Sequence, residues 1–357
     1  KEKLAVNNYT ASKAAAVAAS SYGYLVNYNS FTDVKFLAAL LNAKFKVRYA
    51  EKDFTYNSKS FQKGTIIVLK RSNEDKLQQF VNLAQAYNAT VTEVSGGFMD
   101  TGFDFGSEKV HLIKKPTVAL LTGRGVNPNA AGEVWHLFDQ QLNYPISLYN
   151  ADEINSSILK NIDVLILPSG RYKFFSDKDA AADLKNWVQQ GGKIIALDNA
   201  VAQIAKAEWG IKAKKDDDDE KKDDKKNANT YADLKRYENR ERDGIANYTP
   251  GAIYKVELDN SHPLAFGYGN NYFSLKLGSD LYEFMKGGWN VGIIKKENQT
   301  SGFVGNMAQE KIKDGTVIGV QPMGEGNVIF FADDPIFRNF WENGKMMLAN
   351  AVFLVGQ

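Results

Sequence analysis

The chain of 357 residues carries 44 lysines and arginines against 42 acids, and a net charge of +2 gives it no preference for nucleic acid. It has no cysteine, which excludes disulfides, thiolate metal sites and a cysteine nucleophile. With 44% hydrophobic and 24% charged residues, and no run near the ~18 apolar residues of a membrane helix, the composition is that of a globular protein of roughly two domains.

The chain opens on Lys1 rather than a methionine, as expected of a piece of a longer precursor. Residues 1–20 read as an N-terminal helical or linker segment, with good helix formers at Ala14–Ala19. Residues 21–114 read as a small α/β domain. Its expected strands are Tyr22–Tyr28, Phe45–Tyr49, Thr65–Leu69 and Thr90–Val94. Helices are expected at Phe31–Leu41, with Val34, Leu37, Ala38 and Leu41 on one face, and at Asn73–Tyr87. Asn57-Ser58 suits the turn of a small hairpin, and a glycine-rich loop (Gly96 to Gly106) leads to a boundary near Lys114–Pro116.

Residues 115–357 form the second expected domain. Strands at Thr117–Thr122, Tyr144–Tyr149, Val164–Leu167 and Lys193–Leu197 alternate with helices at Ala130–Leu142, Asp177–Gln190 and Asn199–Ala207. The strands lack period-2 alternation, as strands buried on both faces should. The pattern predicts a flavodoxin-like, doubly wound, mostly parallel sheet with ligands at the carboxyl ends of its strands. A charged insertion at 213–229 contains the run KKDDDDEKKDDKK (Lys214–Lys226), which reads as solvated linker because it has no apolar residue to bury; its four consecutive aspartates are the alternative, a divalent-cation site, but lack the spaced ligands and turn glycine of a calcium loop. A charged helix is expected at Tyr231–Arg242, with Glu238 and Arg242 spaced for an i,i+4 pair. Beyond it the chain is strand-rich, with strands at Ile253–Leu258, Phe273–Leu277 and Val291–Ile294. A hairpin is expected from Thr316–Gln321 to Gly326–Ala332, and an apolar helix at Met346–Val355.

Few residues carry chemistry. Gly123-Arg124-Gly125 sits at a strand-to-helix turn where amides could hold an anion, but Pro128 stands where the dinucleotide fingerprint needs glycine. The three histidines, His111, His136 and His262, make no HEXXH or equivalent zinc motif, so no metal site is expected. Asp198 stands at the strand end where an elbow would present a nucleophile, and reads first as a polar cap on the following helix. Asp333, Asp334 and Arg338 follow the last strand and read as a cap and ion pair, with metal binding or acid–base work as the other possibility. A small-molecule site at the strand ends would draw on Arg124, Glu133, His136, Arg171 and Asp198. No residue is assigned a catalytic role.

Several stretches carry a resemblance: Val118–Gly123 with Ala131–His136, Tyr144-Pro145, Asp163–Pro168, Gly191–Leu197, Asp259–Tyr268 (DNSHPLAFGY) and Ala332–Trp341 (ADDPIFRNFW). Together with Lys46–Arg48, Phe61–Leu69 and Gly102–Gly106, they are similar to the region downstream of the catalytic domain in large bacterial zinc carboxypeptidases. The resemblance implies a secreted or periplasmic parent with an N-terminal peptidase domain as partner. It also implies zinc in that absent domain only, since its His-X-X-Glu motif does not occur here. Residues 116–357 also resemble the class I glutamine amidotransferase fold, with Asp198 at the cysteine position. The expectation is a non-catalytic, pseudoenzyme-like accessory region that supports the peptidase or binds peptide or cell-wall fragments, without cofactor. The alternative is an independent hydrolase or amidotransferase-like enzyme.

Overall fold

The computed structural model describes residues 22–214, 234, 236–296 and 298–357. The expected segment 1–20, the charged insertion from residue 215 onward and the beginning of the expected helix at Tyr231–Arg242 lie outside the described residues. The chain divides into two compact units, Lys1–Ile113 and Lys114–Gln357.

The first unit contains β1 (Gly23–Val26), α1 (Phe31–Asn42), β2 (Val47–Ala50), β3 (Phe54–Tyr56), β4 (Lys59–Phe61), β5 (Ile66–Leu69), α2 (Leu77–Ala86), β6 (Val91–Val94) and β7 (Val110–Ile113). Its main sheet runs β6-β1-β5-β2-β7 with every pair antiparallel. Helix α1 starts at a reciprocal capping box. Ser30 Oγ accepts from the Asp33 amide while the Asp33 carboxylate takes the Ser30 amide. The helix buries the expected face and also Phe36 and Leu40. Asn57 and Ser58 both adopt positive φ, 49° and 59°, the twist a two-residue hairpin turn requires. Strand β7, not expected from the glycine-rich stretch before it, pairs with β2 and ends the sheet.

The second unit carries one ten-stranded sheet built from β8 (Val118–Thr122), β9 (Ile146–Asn150), β10 (Val164–Leu167), β11 (Lys193–Leu197), β12 (Gly251–Leu258), β13 (Asn271–Lys276), β14 (Trp289–Ile294), β15 (Gln299–Phe303), β16 (Gly315–Met323) and β17 (Gly326–Phe331). The helices are α3 (Pro128–His136), α4 (Ser156–Leu159), α5 (Lys178–Gln189), α6 (Asn199–Lys206), α7 (Arg240–Ala246), α8 (Asn306–Lys311) and α9 (Lys345–Phe353). Strands β9-β8-β10-β11-β17 are parallel, in the chain order 2-1-3-4-5. The other five strands extend the sheet antiparallel from β17 through β16, β14 and β12, with β13 and β15 both on β12.

The sheet is therefore mixed, which corrects the expectation of a mostly parallel one. The reversal comes at the β16–β17 hairpin, whose turn is Gly324-Glu325. Burial records the difference. Strands β10 and β11 are buried at every position, whereas β12 alternates between buried and half-buried residues, as a strand with one solvated face should. Helix α9 is buried along its whole length. The helix expected at Tyr231–Arg242 is displaced. Among the described residues a single 3-10 turn at Tyr237–Asn239 leads into α7, and Glu238 pairs with Arg236 at 3.2 Å rather than with Arg242.

Candidate functional site

In a parallel sheet of order 2-1-3-4-5 the crevice for ligands opens where the connections change direction, beyond the carboxyl ends of the strands. In the second unit those ends lead into Gly123–Asn129, Pro168–Tyr172 and Asp198–Ala200. A cavity of about 910 Å³ opens there. Asn127, Glu133 and His136 come to it from α3 and its cap, Ser169 from the end of β10, Asp198 from the end of β11, and Asp333, Asp334 and Arg338 from the segment after β17. Asp280 lines the far side.

Asp198 has φ 50° and ψ −124°, a left-handed conformation that disfavours any residue but glycine, and α6 begins at the next residue. This is the sharp strand-to-helix turn that exposes a side chain at the top of a sheet. The expected capping role is not observed, because the Asp198 carboxylate bonds none of the first amides of α6. The half-buried carboxyl group lies on the cavity wall instead.

Asp333 is anchored from the antiparallel half. Lys276 Nζ reaches its Oδ1 at 2.8 Å and Ser274 Oγ its Oδ2 at 2.7 Å. The Lys276 side chain is fully buried and also donates to the Asp280 carbonyl at 3.0 Å. Burial raises the Asp333 carboxyl above the usual carboxylate range, against the pull of Lys276 and Ser274. Asp334 Oδ1 accepts from the Ile336 amide at 2.9 Å, so the expected cap is present, but the cation expected from Arg338 reaches Asp333 from Lys276. Asp334 is likewise raised by burial. Burial, and after it the nearby Asp334 carboxyl, push Glu133 up to about 8, while Arg338 pulls the other way.

Asn339 fixes the wall between α3 and the β17 segment. Its Nδ2 donates to His136 Nδ1 and to the Glu133 carbonyl, and its Oδ1 accepts from Gln141 Nε2 at 3.2 Å. Helix α3 continues beyond His136 as a π turn, Leu137–Gln141, a local irregularity that recurs beside functional groups. Arg338 and Asn339 both hold positive φ, 48° and 54°.

Of the five residues singled out in the sequence, Glu133, His136 and Asp198 line the cavity, while Arg124 and Arg171 are exposed and do not. The Gly123-Arg124-Gly125 turn is explained by backbone packing. Gly125 has φ 85°, and a side chain there would meet the Arg171 carbonyl at 2.4 Å; the Arg171 amide donates to the Gly125 carbonyl at 2.8 Å. The amides an anion would want at the start of α3 are taken by Asn127 Oδ1. His111 pairs with Glu51 in the first unit at 2.8 Å. His262 accepts from the Leu264 amide at 3.1 Å in a turn, where burial pushes it down to about 4. Among the described residues no three His, Asp or Glu side chains form a group able to hold a metal ion. Lys276, Ser274 and Asn339 do not stand out in the sequence. The one available signal is Lys276, an inward-facing lysine in the alternation Tyr272, Ser274, Lys276.

No protein-family model matches the sequence, and no curated protein matches it. Several solved structures align with the chain at low similarity. A protein described as belonging to a GMP synthase, from Thermoplasma acidophilum, is 11% identical over 66% of this chain and 92% of its own, with a TM-score of 0.41. A glutamine amidotransferase from Thermotoga maritima is 8% identical over 66% of this chain and 96% of its own, with a TM-score of 0.40. A β-galactosidase from Bacillus circulans sp. alkalophilus is 14% identical at a TM-score of 0.39, and the chain spans 30% of its length. Likenesses this distant carry no statement about activity.

Proposed function

We propose that the second unit is a ligand-binding domain of flavodoxin-like, class I glutamine amidotransferase-like descent, whose site is the cavity at the strand ends. We place the chain as a non-catalytic accessory region of a secreted or periplasmic zinc-carboxypeptidase-like protein, presenting peptide or cell-wall fragments to the peptidase domain. The observation that carries the binding reading is the convergence of Glu133, Asp198, Asp333 and Asp334, from three separate segments, on one 910 Å³ cavity. The parentage rests on the resemblance of the DNSHPLAFGY and ADDPIFRNFW stretches alone.

The test is thermal stabilisation of the whole chain by cell-wall peptides and amino acids, repeated with Asp198→Ala and His136→Ala. The reading expects a shift that both substitutions remove, and no turnover of the ligand. A ligand whose shift survives both substitutions would place the site elsewhere. The strained turn at Asp198 favours a second reading, a hydrolase acting at the same cavity. That reading expects turnover, abolished by Asp198→Ala, which the first does not.

A further inference from the structure

Strand β13 ends one side of the ten-stranded sheet, and only one of its edges is paired, to β12. The main-chain groups of an antiparallel strand point alternately toward and away from a given neighbour. Two sets of bonds fix the direction here. Lys255, opposite Phe273 in the register, sends its amide to the Asn298 carbonyl on the other edge of β12, at 2.8 Å. The Phe273 carbonyl accepts instead from Trp341 Nε1 at 3.1 Å and Asn343 Nδ2 at 3.0 Å. Phe273 and Leu275 therefore turn their amides and carbonyls away from β12, while Ser274 and Lys276 turn theirs toward it.

Free strand edges are ordinarily blunted by charge, proline, a bulge or a covering segment. In β13 the cover is local. Trp341 and Asn343 close the edge at Phe273. At Leu275, among the described residues, no group takes the outward amide or carbonyl, and the register with β12 runs on without a bulge. The one charge in the strand, Lys276, points inward and is matched by Asp333 at 2.8 Å. The bare stretch also borders a space. Leu275, Leu277, Gly278 and Asp280 form one side of the cavity at the strand ends.

We propose that the cavity binds an extended peptide as an added strand on β13, its main chain bonded to the amide and carbonyl of Leu275. The proposal rests on the reading of the cavity as a ligand site, and it selects polypeptide, recognised through its backbone, as the ligand class. Alternate residues of an added strand fall on the two faces of the sheet. One face of β13 is apolar, with Phe273 and Leu277 exposed and Leu275 half-buried. On the other, Ser274 and Lys276 are held to Asp333, and the cavity wall adds the carboxyl groups of Asp198 and Asp280. A peptide that suits both faces alternates apolar with basic residues, and like charge disfavours an acidic one.

The probe is acetyl-Leu-Lys-Leu-Lys-Leu-amide, titrated calorimetrically into the whole chain. Two N-methylated versions, one blocking the leucine amides and one the lysine amides, separate backbone pairing from charge attraction. One set faces β13 and the other faces away, so one version should bind at least about tenfold more weakly and the other nearly as well as the parent. An antiparallel added strand makes the leucine set the sensitive one, a parallel strand the lysine set. In protein labelled with 15N-leucine, the Leu275 amide should exchange with solvent roughly tenfold more slowly when the peptide is bound. Leu275→Pro removes that amide without breaking the ladder to β12 and should abolish binding, with the melting temperature as the check on folding. Equal effects of the two methylations, or unchanged exchange at Leu275 in the bound state, overturn the added strand. Protection of Leu275 that grows with protein concentration without peptide would put a second copy on the edge, and overturns it too. If the probe does not bind while an amino acid or cell-wall fragment stabilises the chain through Asp198, the added strand falls and the binding-domain reading stands. If nothing binds, both fall.

Discussion

At the scale of single residues, Asp198 is where conformation and chemistry conflict. Its φ of 50° and ψ of −124° cost a side-chain-bearing residue about 1–3 kcal/mol, and its carboxylate recovers nothing by capping α6. A residue that strains the backbone without serving the fold serves something else, here the cavity wall. Asp198→Gly and Asp198→Ala both delete the carboxylate, but only glycine relieves the turn. Urea unfolding should show the glycine variant more stable than the alanine variant by about 1 kcal/mol, with ligand stabilisation lost in both. Equal stability would mean that the turn relaxes freely and stores no strain. The position is legible in the sequence as a strand end, but the dihedral angles are not, because an aspartate before a helix is ordinarily a cap.

At the scale of elements, strand β13 carries an ion pair into the interior. Tyr272, Ser274 and Lys276 face inward, and Lys276 meets Asp333 at 2.8 Å with that carboxylate's side chain only 10% exposed. Removing one member of such a pair strands the other charge. Lys276→Met should therefore destabilise the second unit by about 3–5 kcal/mol, and adding Asp333→Leu should recover most of that loss. Denaturant midpoints of the two variants decide it, and a double variant no better than the single would show that packing, not the stranded charge, sets the cost. The same element shows where sequence reading stops. Strands β10 and β11 are uniformly buried, so their apolar runs announce them within a residue. Strand β15 is almost wholly exposed and β7 is half-buried, so neither leaves a periodic trace. The direction in which a strand runs is absent from periodicity, so the β16–β17 hairpin and the strands at Ile253–Leu258, Phe273–Leu277 and Val291–Ile294 can be read, but not that they extend the parallel sheet antiparallel and bring Lys276 to Asp333. Asp333 and Asp334 can be seen as paired acids, but the partner of Asp333 lies 57 positions away in the chain.

At the scale of the whole molecule, two buried groups bend the pH dependence of stability in opposite directions. Glu133 titrates at about 8 in the folded chain against 4.5 ordinarily, so the folded state binds the extra proton between those values. Its contribution is therefore present at low pH and is lost as pH rises from about 4.5 to about 8. Lys193, at the start of β11, is buried with its Nζ on the Val352 carbonyl at 3.1 Å, and burial lowers it from 10.5 to about 7 despite the nearby Asp163. Here the unfolded chain holds the extra proton, so stability is regained as pH rises from about 7 toward 10.5. Together the two groups put a shallow minimum in the stability of the second unit near neutral pH. Melting curves at pH 5, 7.5 and 9.5 should show Glu133→Gln removing the acidic limb and Lys193→Met the alkaline limb, each visible as a change in wild-type-minus-variant Tm of a few degrees, on the order of 1–2 kcal/mol. If the Glu133→Gln difference is flat across pH, Glu133 holds no extra proton in the folded chain. If the Lys193→Met difference is flat, the lysine ammonium stays charged in the interior, and its bond to Val352 must then carry a buried cation.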